Sequence, residues 1–514
     1  MFATLPVLRC TRLRRIATHP AGVCAVALAM LVCAVINVRN IQKDLPFAVE
    51  VDEEDWVIPA MEMARDHAWN PHWFGHPGST VLYPLSLIAR TQDVDTLNPR
   101  SIDVQTTRIV MLGRRIPLLF TLSSIPLLFA VARRLSRIVA FGSTVIVSFL
   151  PAIVERSTWI RDDTAGIFFV LLAILLLMRW QERQTAPRMI GIGIAIGLGL
   201  STRYFLAWIM PFALCILWTN EKKRSYGNML ILILSTCIAF TLSSPFLILD
   251  MRQAVLDIAH EARAVHLGLD GFTPLRNMLW YLFDVLPAQM GPVLWLLGAT
   301  GCGLAHLRKH RHAMFLTICI LCHLIVISAH PLHAAYWTLQ ILPLWACMGL
   351  WALWEGVPFV LKSFAGQSDH LLRLYAYASA VVIIAFPLWR ESIHLSDQLQ
   401  HPSTLIVART WIENNVPSNS TIIGEYFTPP LGGLNMNVRS VSSIADDDAL
   451  SMIDTGRYVL TSGWREGLYR REPERYKTQI ERYEAVENTA QLVRTWEPDE
   501  STRGPWIRLY KVER

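Results

Sequence analysis

The stretch MIGIGIAIGLGLSTRYFLAWIMPFALCILW, residues 189–218, decides the architecture. Its roughly 30 residues are too long for a single helical crossing of a bilayer, which takes about 20, and short for two. Charge settles the reading. Cytoplasmic loops of membrane proteins collect Lys and Arg. The basic clusters are Arg9–Arg15, Arg133/Arg134/Arg137, Arg179/Arg183/Arg188, Lys222/Lys223/Arg224 and Arg308/Lys309/Arg311. They share one side of a membrane only if 189–218 is a tight helical pair that turns at Ser201-Thr202-Arg203-Tyr204.

Outward from this pair, the chain reads as a mainly α, polytopic helical membrane bundle. Of its 514 residues, 53% are hydrophobic and only 17% charged, against about 25% charged in soluble domains. Spans are predicted near 20–38, 110–132, 138–154, 164–179, 189–202, 204–219, 228–249, 289–306, 313–329, 334–354 and 371–390. That is about eleven spans, with the N-terminus cytoplasmic and the C-terminus outside. The first run follows Arg9, Arg12, Arg14 and Arg15 but lacks a small-residue cleavage pattern after it, so it reads as an uncleaved span. The net charge of +6 sits in loops rather than on one soluble face, which excludes a nucleic-acid partner. The nine cysteines fall almost all in apolar runs, and the Cys319/Cys322 pair reads as packing rather than redox chemistry.

The division expected is a membrane domain over 1–390 and a small outer α/β domain over 391–514. The tail turns polar, with an amphipathic run at 404–414 and strand-like runs at 421–425, 458–461 and 507–512. Two further features share the outer side, an acidic loop at 39–109 and a segment at 250–288 that opens with a surface helix.

Candidate chemistry collects on that side. Val51-Asp52-Glu53-Glu54-Asp55-Trp56 sets four carboxylates beside a bilayer, where charge is costly to desolvate. The plain alternative is a solvated loop in which Asp52 caps the helix that follows. Such a helix would bury Trp56, Ala60 and Met63 on one face. Asn70-Pro71-His72-Trp73-Phe74-Gly75-His76-Pro77-Gly78 reads as a rigid loop leading into a short apolar helix at 80–88. Arg161-Asp162-Asp163 lies between two spans, and Arg203 breaks the positive-inside trend. His330-Pro331-Leu332-His333-Ala334-Ala335-Tyr336 forms another donor-rich turn.

These motifs, in this order, resemble the glycosyltransferase-C superfamily, in particular the aminoarabinose lipid A transferases and the protein O-mannosyltransferases. The likeness rests on Asp52-Glu53 with Trp56 and Glu62-Met63, on Asn70-Pro71 and His76-Pro77, and on Arg161-Asp162. It extends to Gly197-Leu198-Gly199-Leu200-Ser201-Thr202-Arg203-Tyr204 and to Trp411-Ile412-Glu413-Asn414-Asn415-Val416-Pro417. The resemblance implies an inverting membrane glycosyltransferase that uses a polyprenyl-phosphate sugar donor and an envelope glycan, lipid or protein acceptor. Catalytic candidates are Asp52, as general base, with Glu53 and Asp162. Candidates for the donor phosphate or substrate are His76, Arg161, Asp163, Arg203, Tyr204, His330 and His333. The expected setting is a bacterial inner membrane, with membrane lipids around the spans. Gly75 stands where the aminoarabinose enzymes carry an acidic metal ligand, so no cofactor or metal is expected and activity should survive chelation. The rival class is a transporter or flippase that uses the same charges as a substrate path; such proteins place polar groups near mid-membrane in paired halves, a pattern not found here.

Overall fold

The computed structural model describes residues 20–47, 49–50, 52–92, 106–220, 226–263, 265–268, 271–365, 370–446 and 458–512. The basic clusters at 9–15 and 222–224 lie outside the described residues. All eleven apolar segments are helical. Among the described residues, seven helices are long and apolar enough to cross a membrane: Gly22–Gln42, Thr107–Ala132, Asp163–Glu182, Tyr226–Ser243, Arg311–Ala329, Leu342–Ser363 and His370–Gln398. Four shorter apolar helices, Arg137–Ser148, Ala186–Thr202, Tyr204–Thr219 and Pro292–Leu307, occupy the remaining places.

The decisive stretch is a broken pair. Helix Ala186–Thr202 ends at Arg203, whose φ of −146° and ψ of 127° are extended. The chain re-enters through the 3-10 turn Tyr204–Trp208 and the helix Ile209–Asn220. The first half sits close against Tyr226–Ser243 because glycines face it. A Cβ on Gly193 would come within 2.9 Å of the Leu232 carbonyl, and one on Gly197 within 2.6 Å of the Thr236 carbonyl. Small residues four apart let two helix backbones approach inside a bilayer, where packing rather than hydrophobicity drives association.

Two predicted spans are interrupted. The segment 138–154 is helix Arg137–Ser148 followed by a separate short helix, Pro151–Arg156. Proline lacks the donor that would continue the first helix and forces Leu150 into an extended conformation. The segment 228–249 stops as a long helix at Ser243, before Pro245, and resumes as Phe246–Leu249. The last long helix continues past the expected boundary to Gln398, and the α/β elements begin at Thr404.

Beside the bundle lie two amphipathic helices, Glu54–Arg65 and Ser79–Arg90. Trp56, Ala60 and Met63 are buried, and the helices share a core with Val81, Leu82 and Leu85. The C-terminal residues form a five-stranded sheet: β1 (Thr421–Glu425), β2 (Asn437–Val441), β3 (Tyr458–Ser462), β4 (Gln491–Trp496) and β5 (Ile507–Lys511), in the order β2-β1-β3-β5-β4. β1 runs parallel to both neighbours, and β5 is antiparallel to β3 and β4. Phe47 and Val49, from the loop after the first span, belong to the core beneath this sheet together with Leu405, Ile412, Ile422 and Leu509. Arg503 pairs with Asp44 and, at 2.9 Å, with Glu50.

Candidate active site

The loop after the first span is anchored from inside. Glu53 is fully buried, as is Arg114, where the helices Thr107–Gly113 and Arg115–Ala132 meet. Arg114 donates to the two Glu53 oxygens at 3.0 and 2.7 Å, and Ile160 N donates to the first at 3.1 Å. The remaining Arg114 nitrogen reaches the carbonyls of Ile41 and Lys43, at 3.1 and 2.5 Å. Burial alone would push the Glu53 carboxyl up; Arg114 and Lys43 outweigh it and hold the group below its ordinary value. The sequence pairs Glu53 with Asp52 as a catalytic candidate. The structure gives Glu53 an interior partner and no exposed surface.

Asp52 has the opposite surroundings. It does not cap the following helix: Glu53 is the N-cap residue, and no side chain caps that end. Asp52 adopts a left-handed backbone, φ 68°, a conformation non-glycine residues rarely take. Its side chain stays one-third exposed, at 34%, and accepts a hydrogen bond from Arg161 Nη1 at 2.5 Å. From Arg161 a chain of ion pairs runs inward. Arg161 Nε lies 3.6 Å from Asp163 Oδ2. Arg203 Nη2 bonds Asp163 Oδ1 and, at 2.5 Å, Asp162 Oδ1. Asp163 opens the helix Asp163–Glu182, whose N-terminal dipole favours carboxylates.

This chain gathers Asp52, Arg161, Asp162, Asp163 and Arg203 from three distant stretches. Arg156, which the sequence analysis does not single out, joins them from the end of the short helix Pro151–Arg156. Its Nη1 is 4.0 Å from Asp163 Oδ2. Tyr336 is the common wall: the guanidinium carbons of Arg156, Arg161 and Arg203 lie 5.3, 4.6 and 5.7 Å from its ring centre. Arg156 Nη1, Arg161 Nε, Arg203 Nε and Asp163 Oδ2 are buried without a hydrogen-bond partner among the described residues. Buried polar atoms are ordinarily paired, so this cluster keeps donors in reserve.

Of the other candidates, Tyr204 and His76 stand beside it, while His330 and His333 are held in aromatic contacts of their own. Tyr204 donates its hydroxyl to the Phe74 carbonyl at 2.9 Å, tying the helical pair's turn to the Asn70–Gly78 loop. His76, on that loop, stands edge-on to Trp73 with ring centres 5.1 Å apart. Loss of bulk water pushes its pKa below the ordinary imidazole value, against the pull of Asp162 and Glu261. At neutral pH it therefore offers an N–H dipole rather than a full charge. His330 packs edge-on to Trp337, with centres 5.0 Å apart. His333 packs on Trp280 and Phe272, at 4.5 and 5.2 Å, on the second outer segment.

Gly75 has a local reason. A Cβ there would lie 2.6 Å from the Trp73 ring and 2.7 Å from Glu261 Cγ, so a side chain at this position would have to displace one of them. Among the described residues, no group of three or more His, Cys, Asp or Glu side chains is arranged to hold a metal ion.

Against known proteins, the family model for dolichyl-phosphate-mannose-protein mannosyltransferases matches residues 111–249. No curated protein matches the chain by sequence. ArnT from Cupriavidus metallidurans, solved bound to undecaprenyl phosphate, is similar over 96% of this chain and 98% of its own, with a TM-score of 0.58 and 13% identity. The archaeal oligosaccharyltransferase AglB from Archaeoglobus fulgidus, solved with an inhibitory peptide and a dolichol-phosphate, is similar over 95% of this chain and 74% of its own, with a TM-score of 0.55 and 12% identity. The chain carries the fold of the glycosyltransferase-C superfamily, and within it resembles the aminoarabinose transferases.

Proposed function

We propose that this protein is a membrane glycosyltransferase that moves a sugar from a polyprenyl phosphate to an acceptor hydroxyl, with Asp52 as general base. The observation that carries the reading is the ion-pair chain from a half-open carboxylate, Asp52, to a reserve of buried guanidinium donors. ArnT and AglB, of like fold, are solved with polyprenyl phosphates bound. That precedent supports a phosphate on the arginine side.

The chemistry follows from the two ends. The leaving group is a phosphate ester, already acidic, so it needs charge stabilisation rather than protonation. Arg161 and Arg203 supply it through N–H groups not engaged with Asp162 and Asp163; Arg156 and the His76 N–H stand nearby. At the other end the acceptor hydroxyl gives its proton to Asp52. Its oxygen forms the new bond to the anomeric carbon as the bond to the phosphate oxygen breaks, the electron pair leaving with the phosphate. Attack opposite the leaving group inverts the anomeric carbon. Asp162 and Asp163 hold the arginines in place, and Glu53 holds the loop. No step is routed through a metal, since residue 75 is a glycine and carries no ligand side chain.

The reaction belongs on the outer face. The site lies at the start of the 20-residue helix Asp163–Glu182, and the basic residues Arg179, Arg183 and Arg188 gather at its end, with Arg134 paired to Glu182. At 1.5 Å per residue those ends are about 30 Å apart, the thickness of the hydrocarbon layer. The test is Asp52→Asn, which keeps size and polarity and removes basicity. Envelope glycans profiled by mass spectrometry in a deletion strain should lose a sugar that the native gene restores and Asp52→Asn does not, with in vitro transfer slowed about 10²–10⁴-fold. Near-native transfer by the variant would end the catalytic reading of Asp52. A deletion strain that loses carrier movement across the bilayer and no transfer step would favour a transporter.

A further inference from the structure

The site has a side that the donor chemistry leaves unused. Arg161 approaches the Asp52 carboxylate from the arginine cluster. On another side of Asp52, an open cleft separates the first outer loop from the C-terminal sheet. Val49, Glu50, Asp52 and Glu54 line one wall; Tyr426, Phe427, Thr428 and Pro430 line the other.

The second wall is built by sheet topology. β1 and β3 are parallel neighbours whose outgoing segments lead to opposite edges, β1 to β2 and β3 towards β4. Outgoing segments that part in this way leave a crevice at the carboxyl ends of the strands, where open α/β sheets bind their ligands. Tyr426 and Phe427 follow β1 directly, and Trp464 follows β3. The Trp464 ring lies 5.5 Å from each of the other two, centre to centre, and braces both. Glu425, the last residue of β1, ties the strand ends together: it accepts from Ser462 N at 2.7 Å, Ile444 N at 3.2 Å and the Tyr483 hydroxyl at 2.6 Å. Phe427 is held at φ 65°, strained for a side chain of its size. Tyr426 is half-buried and near enough to the opposite wall that Asp55, Asp52 and Glu54, added to burial, drive its hydroxyl pKa up.

Carboxylates facing aromatic rings suit one class of acceptor. A sugar ring offers hydroxyls to carboxylates and an apolar C–H face to an aromatic ring. Resting on the transferase reading above, we infer that this cleft is the acceptor subsite and that the acceptor is itself a carbohydrate, its C–H face against Tyr426 and Phe427 and its hydroxyls on Asp52 and Glu54. The hydroxyl that reaches Asp52 is the one that is glycosylated. The C-terminal sheet thereby reads the acceptor while the bundle holds the donor.

The experiment uses the full-length protein in lipid nanodiscs and saturation-transfer difference NMR. Probes are oligomers of glucose, mannose, galactose, N-acetylglucosamine and arabinose, with Ser/Thr-containing peptides as the contrasting set. At least one oligosaccharide should give a saturable signal on its C–H protons, weakened about tenfold by Tyr426→Ala and by Phe427→Gly. Phe427→Gly relieves the left-handed backbone strain, and thermal unfolding run beside Tyr426→Ala separates lost binding from lost packing against Trp464. The same preparations are titrated with undecaprenyl phosphate, which addresses the arginine side. Saturable binding of peptides with none of sugars overturns the inference, as does sugar binding that both variants leave intact. Sugar binding that depends on Tyr426 and Phe427, without undecaprenyl phosphate binding, would sustain the carbohydrate subsite and remove the donor reading.

Discussion

Asp52 and Glu53 are neighbours in the chain and opposites in the molecule. Glu53 is sealed from solvent, and its two oxygens are met by Arg114 and a backbone amide. Asp52 is part open, and the ion pairs beyond it leave guanidinium and carboxylate atoms unmatched. The first arrangement closes its hydrogen-bond inventory and so has nothing to offer a substrate. The second leaves donors available and accepts the cost of burying them unpaired. The contrast separates a carboxylate that holds a loop from one that stays open to solvent, as the proposed base must.

The comparison breaks most visibly at Glu53. Glu53→Ala leaves Arg114 buried without its partner, and Arg114→Met does the same to Glu53; each should cost about 3–5 kcal/mol of stability. Thermal unfolding of detergent-solubilised protein would show it, with the double variant recovering part of the loss. A single variant of unchanged stability would mean that Glu53 is not the anchor. A smaller effect is expected at the open end. Arg203→Lys keeps the charge and loses the planar fork, so donor KM should rise about tenfold, within the roughly 1.5–3 kcal/mol of a hydrogen bond to a charged group. An unchanged donor KM would place the phosphate elsewhere.

The smallest effect concerns pH. Glu54 keeps solvent access, and crowding by neighbouring protein groups, with repulsion from Asp55, pushes its pKa up to about 7, an effect that the solvent partly screens. Asp55 rises to about 6 through desolvation and Asp52, although Arg161 pulls it down. Both carboxyls bind protons more tightly in the folded chain than in the unfolded one. Stability should therefore fall as pH rises from about 4 through about 7 and level off above that. Glu54→Gln should flatten this slope, shifting the melting temperature at pH 8 upward by about 1–2 °C. An unaltered slope would show that Glu54 keeps its ordinary carboxylate behaviour in the cleft.

The bundle was readable because hydropathy and loop charge are one-dimensional signals. All eleven apolar runs became helices, and the turn at Arg203 fell where charge required it. Pro151 and Pro245 are equally plain in the sequence, but a span read from summed hydropathy passes over them. β2 and β4 were missed for a different reason. They are edge strands whose residues are mostly exposed, so no buried face imprints a pattern on them. In the site, Asp52, Arg161 and Arg203 stood out as ionisable residues at span ends. The division of labour between Asp52 and Glu53 did not, because it depends on Arg114, 61 residues away. Arg156 was missed because it stands two residues past the predicted span with no motif around it, and Tyr426 because it lies more than 370 residues from Asp52 in the chain.

Phe47 and Val49 carry a consequence for biogenesis. They complete the C-terminal core from near the other end of the chain, and Glu50 meets Arg503 across 453 residues of sequence. During synthesis the first loop emerges with two apolar side chains, Phe47 and Val49, whose core partners lie after residue 400, although Glu50 finds Lys43 beside it at 3.0 Å. The two apolar side chains stay uncovered until the last strands are made, because contacts of such long sequence separation form late. A prematurely terminated chain would then display Phe47 and Val49 in the aqueous phase, where quality-control proteases recognise apolar surface. The loop that carries Asp52 is thus anchored early through Glu53 and Arg114 and completed only when the last strands are made.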